Sequence, residues 1–149
     1  AVLAGYAVGH GVVVHAADLL QPLREPAKFR AYVAGHMVES RFYILKLLGA
    51  EPANPLRGFT GEWKGITDIA EWPSLQEISA GITVAAEALD RRLESVTAAE
   101  LDAKLDPWFA GVSGTVFGQL NFMVQHDSYH LGQLSLLRKY AGLPAMSYS

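Results

Sequence analysis

Cysteine is absent from this 149-residue chain. Disulfides, a cysteine nucleophile and cysteine-ligated metal sites are therefore excluded. Charge is also sparse, with Asp, Glu, Lys and Arg at 18% and a net charge of −3. The 12 Lys and Arg are scattered, with no run longer than two. The basic stripe of a nucleic-acid binder and a polybasic membrane patch are both missing. Long apolar runs are lacking with one exception: 17 residues pass before the first formal charge, Asp18. That touches the lower limit for a membrane span. The run holds His10, His15 and three glycines, however, and no basic residue precedes it, unlike a signal peptide. It reads as a buried helix in a soluble, cytoplasmic protein, and the length suits a single domain over 1–149.

What is present is helical periodicity. Residues 2–21 form a first segment, apolar on more than one face. A second runs over 27–48, with Phe29, Val33, His36, Tyr43 and Leu47 as its stripe. Gly49 is placed to end it, with Pro52 beyond. A connector over 50–73 carries three prolines and three glycines, with Trp63 and Trp72 to pin it and a short turn around 66–71. The third segment, 74–96, opens with the capping-box pattern SLQE. Its inward line is Ile78, Ile82, Ala85, Leu89 and Leu93, and Arg91 and Arg92 are on its wet side. Residues 97–113 hold a short helix or irregular chain, and VSGTVFG suits a brief extended piece. The last segment, 115–140, stops at Gly142 and Pro144. The expectation is an all-α, four-helix bundle. Its long second connector returns the chain so that the second and third helices run parallel.

The chemistry concentrates in HDSYHLGQL, residues 126–134. His126 and His130 stand four apart, on one helix face. Two imidazoles on an inward stripe need partners for four nitrogens, and a shared metal ion satisfies one from each. His36 lies in the apolar stripe of the second helix. If the second and last helices pack together, it can meet the pair. Three protein ligands and a free position is the layout of a catalytic zinc site. His10 and His15, five apart, point about 140° away from each other around a helix and are read as core groups. The spacing also resembles the zincin H-E-x-x-H with Asp127 in the Glu place. Residues 131–149 contain no His, Asp or Glu, so the downstream ligand that zincins use is missing.

The ending HDSYHLGQLSLLRKYAGLP resembles the final helix of the DinB-like superfamily. The matching residues are His126, His130, Gly132, Gln133, Leu134, Leu137, Arg138, Gly142 and, displaced by one, Pro144. AGHMVESRFYILKLLG is similar to the family's segment that supplies a first histidine. The resemblance implies a bundle of up-down-down-up topology and a homodimer. It implies a divalent metal, zinc or nickel, held by His36, His126 and His130. The implied activity is thiol S-transfer, with a low-molecular-weight thiol such as mycothiol or bacillithiol as co-substrate, or metal-dependent hydrolysis of a small molecule. The first segment departs from the family pattern, with only Tyr6 and His10 similar to its usual aromatic and polar groups.

Around the metal, Asp127 and Gln133 are the weak catalytic candidates. Asp127 is about 100° off the ligand stripe, as a solvated charge or a group behind the ligands. Gln133 either orients a ligand or ties helices together. His10, Tyr129 and Trp63 are candidate pocket walls, and Gly132 is expected to permit close helix packing. The competing reading is a non-catalytic metal-binding or structural dimeric bundle, its site closed by Asp127 or Glu39. A third is a metal-free core of hydrogen-bonded histidines.

Overall fold

The computed structural model describes residues 26–56, 59, 71–106 and 112–144. The expected first helix, the turn around 66–70, His10, His15 and Trp63 lie outside these residues. The described chain is all-α: α1 (Pro26–Leu47), α2 (Leu75–Leu93), the short α3 (Ala98–Leu101) and α4 (Val116–Tyr140). Among the described residues there is no strand, only an isolated antiparallel bridge between Lys104 and Thr115. Of the extended piece expected at VSGTVFG, only Thr115 makes this bridge; Val116, Phe117 and Gly118 are already the first turn of α4. None of the described helices is long and apolar enough to cross a membrane.

Local chemistry sets the helix ends. Pro26 opens α1, where a missing N–H costs nothing. Gly49 closes it at φ +75. The Ala50 N–H donates to the Leu45 carbonyl at 2.8 Å and the Gly49 N–H to that of Lys46 at 3.0 Å. This is a Schellman motif, and Gly142 builds a second one after α4 with the carbonyls of Arg138 and Lys139. Ser74 caps α2 as expected: its Oγ accepts from the Glu77 N–H and the Glu77 carboxylate accepts from the Ser74 N–H. Thr97 and Glu100 repeat the box on α3. The T-x-x-E pattern of that helix, Thr97 to Glu100, is the sequence signal for it.

The core shows that α1 and α2 run parallel. Val38 packs with Ile78 at one level. Leu45 packs with Ala85 and Ala88 further along both helices. At the end, the Leu48 carbonyl accepts from Arg92 Nε at 2.6 Å. Arg92, expected on the wet side, also donates to Ser95 and pairs with Glu100. It thus joins the ends of α1 and α2 to α3.

The inward face of α2 is Ile78, Gly81, Ala85 and Ala88. Ile82 and Leu93, expected in the core, are exposed. The reason is close approach. A Cβ on Gly81 would lie 2.7 Å from Val38 Cγ1, so the contact line follows the smallest residues and turns the larger ones outward.

Helix α1 has no exposed residue from Phe29 to Leu45. Among the described helices it is the inner one, so its buried set is wider than the expected stripe and includes Met37, Val38 and Leu45, with Leu48 buried just beyond its end. The connector is held by Leu56, which is buried, and by Phe59. A Cβ on Gly35 would meet the Phe59 ring at 2.3 Å, which shows how tightly the ring lies on α1 one residue before His36. Trp72 reaches Phe59 edge-on at 6.0 Å.

Candidate metal centre

His36 is brought from α1 to the α4 pair across 90 residues of sequence. Its Nε2 is 3.0 Å from His126 Nε2. His126 Nε2 is in turn 3.1 Å from His130 Nε2. His36 is buried, and the other two are half-buried. Behind His36, Tyr32 stacks parallel at 6.0 Å. The Ser40 hydroxyl donates to the His36 carbonyl at 2.9 Å.

Three Nε2 atoms this close cannot satisfy one another. An imidazole nitrogen offers one in-plane direction, as a donor or as an acceptor. His126 Nε2 faces two neighbours and can serve only one. Hydrogen bonding alone, the third reading above, therefore leaves the cluster incomplete. In tetrahedral zinc sites, nitrogen ligands at about 2.0–2.1 Å lie roughly 3.3 Å from one another. The spacings here are close to that value.

Gln133 makes the fit more specific. Its Nε2 donates to the Tyr129 hydroxyl at 3.1 Å. That leaves Oε1, an acceptor, against His130 Nδ1 at 2.6 Å. Nδ1 must then carry the proton, and the His130 Nε2 lone pair faces the other two histidines. Gln133 therefore orients a histidine within α4 rather than tying helices together. Tyr129 is exposed, with its ring edge-on to His130 at 5.2 Å.

Asp127 departs from the solvated-charge reading. Its Oδ2 pairs with Arg41 Nε of α1 at 3.4 Å. Its Oδ1 is buried without a partner. It sits on the Nδ1 side of His126, at 3.8 Å. Among the described residues, the group whose donor atoms converge comprises the three histidines; neither Asp127 nor Glu39 joins it. Closure by either carboxylate, expected of a structural site, is not what these residues form. The Arg41 pair also removes Asp127 from the zincin role of a free base. Glu39 acts instead on Tyr32, whose pKa is raised by burial and then by that carboxylate. Gly132 meets no described atom within 4 Å, so the expected close packing is not seen there. Arg41 and the buried Gln119 were missed in the sequence. The signal for Gln119 was its place seven residues before His126, on the same helix face.

Burial pushes the His36 pKa down to about 4, with the neighbouring His130 and His126 adding to the shift and Asp127 opposing it. His130 is lowered mainly by burial, while its bond to Gln133 opposes the shift. Both are neutral at pH 7, the form that binds a metal. In metal-free protein the sign follows directly. Between pH 6.5 and about 4 the unfolded chain takes up a proton that native His36 refuses. The stabilising contribution is complete above pH 6.5 and is lost as pH falls toward 4. Melts in chelator should show a lower Tm at pH 5 than at pH 7. A Tm that stays flat would contradict this picture of the buried cluster.

No curated protein and no solved structure matches the chain. A family model described as the DinB superfamily matches residues 15–134. That span takes in the whole of α1, α2 and α3 and the three histidines of the cluster, and the chain belongs to the DinB superfamily.

Proposed function

We propose that His36, His126 and His130 hold one divalent ion, zinc or nickel, and that the protein is a metal-dependent enzyme acting on a small molecule. The observation carrying this is the convergence of three Nε2 atoms, with the His130 lone pair turned inward by Gln133. A bound ion would supply Lewis acidity, making a water or thiol that reaches it nucleophilic at neutral pH. The chain's own groups do the rest. Tyr129 and Gln133 hold His130 in its tautomer. Tyr32 stacks against the His36 ring. Because the chain has no cysteine, a sulfur nucleophile must come from a low-molecular-weight thiol. Thiol S-transfer and hydrolysis are the two reactions in view.

The test begins with protein purified without a nickel column. Mass spectrometry of the metal should find about one ion per chain. The loaded protein is then offered electrophilic small molecules with and without small thiols. A thiol conjugate assigns S-transfer, and a hydrolysed product without thiol assigns a hydrolase. No ion in the protein, and no uptake of zinc or nickel, would end the metal-enzyme reading.

A further inference from the structure

Two buried groups beside the histidines lack hydrogen-bond partners: His126 Nδ1 and Asp127 Oδ1. They face each other at 3.8 Å. One is a nitrogen that can carry a proton, and the other is an anionic acceptor. Consecutive helix residues diverge by about 100°, so Asp127 would ordinarily turn away from His126. Arg41 explains why it does not. From the facing helix, its Nε holds Asp127 Oδ2 at 3.4 Å. The carboxylate is thereby kept at the helix interface, with its second oxygen toward the imidazole.

We propose that Asp127, anchored by Arg41, is a positioning residue for His126. With an ion bound, Oδ1 closes the 3.8 Å gap and accepts the His126 Nδ1–H, which leaves the Nε2 lone pair facing His36 and His130. This rests on the reading of the three histidines as ligands. The same logic is visible one turn on, where Gln133 Oε1 accepts from His130 Nδ1 at 2.6 Å. The two ligands of α4 are then each oriented from behind by a residue of their own helix. The difference is charge. Gln133 is neutral, whereas Asp127 places an anion behind His126, which favours a divalent cation on the Nε2 side.

Zinc titration of histidine-¹⁵N-labelled protein tests this, comparing the native chain with Asp127→Ala and Asp127→Asn. The zinc Kd should weaken about 10–100-fold in Asp127→Ala, and less in Asp127→Asn, whose amide oxygen still accepts. In the zinc-loaded native protein the His126 Nδ1–H proton should resonate sharply and downfield. It should be lost to solvent exchange in Asp127→Ala and return, less downfield, in Asp127→Asn. If the alanine variant does not fold, the isosteric asparagine variant carries the comparison. A lowered Tm with unchanged zinc Kd and an unchanged His126 signal would make Asp127 a helix-interface group only. That overturns the proposal and leaves the metal site standing. Failure of the native chain to bind either zinc or nickel overturns both.

Discussion

His130→Ala should reduce bound metal from about one ion per chain to near zero. His130 is the residue whose lone pair is most firmly set, through its 2.6 Å bond to Gln133. Without it, His36 and His126 remain 3.0 Å apart, and two imidazoles do not make a catalytic zinc site. The same variant should abolish stabilisation by metal. An ion at a hundredfold excess over its Kd stabilises the native chain by about 2.7 kcal/mol. For a protein of this size that is a Tm rise on the order of 5–10 °C. Native protein should show this rise with zinc or nickel and lose it in chelator. His130→Ala should show no rise. An equal rise in both would place the ion elsewhere.

Leu45→Ala should cost far more stability than Ile82→Ala. Leu45 is fully buried against Ala85 and Ala88. Truncation there should cost about 2–5 kcal/mol, a large part of the roughly 5–15 kcal/mol that domains possess. Ile82→Ala is the matched control, because Ile82 is exposed and should cost about 0.5 kcal/mol or less. Urea unfolding of the two variants measures both. Comparable losses would mean that Ile82, and not Gly81, faces α1. The result also bears on the site, since the α1–α2 contact supports the helix that carries His36.

Much of the local structure was legible in the chain. SLQE gave the start of α2, and Gly49 and Gly142 marked the ends of α1 and α4. These signals work within about five residues, because a cap or a Schellman turn is closed by the backbone next to it. The His126/His130 pair is of the same kind, since helical rotation alone puts i and i+4 on one face. The long connector correctly implied a parallel return of the next helix, which the paired levels Val38–Ile78 and Leu45–Ala85 now show.

Tertiary structure decided what depends on the facing partner. A line of larger residues through Ile82 and Leu93 was as consistent with helical periodicity as the line through Gly81 and Ala88. Only the approach of Val38 selects the second. Arg92 looked solvated until the Leu48 carbonyl and Glu100 were placed around it. Asp127 looked like a surface charge until Arg41 arrived from α1. The chain by itself determined the helices α1, α2 and α4 and the paired histidines, because those follow from bonds between near neighbours. Packing determined that His36 completes the cluster and that Asp127 stands behind it, because those contacts join residues far apart in sequence on helices whose facing sides no local signal specifies.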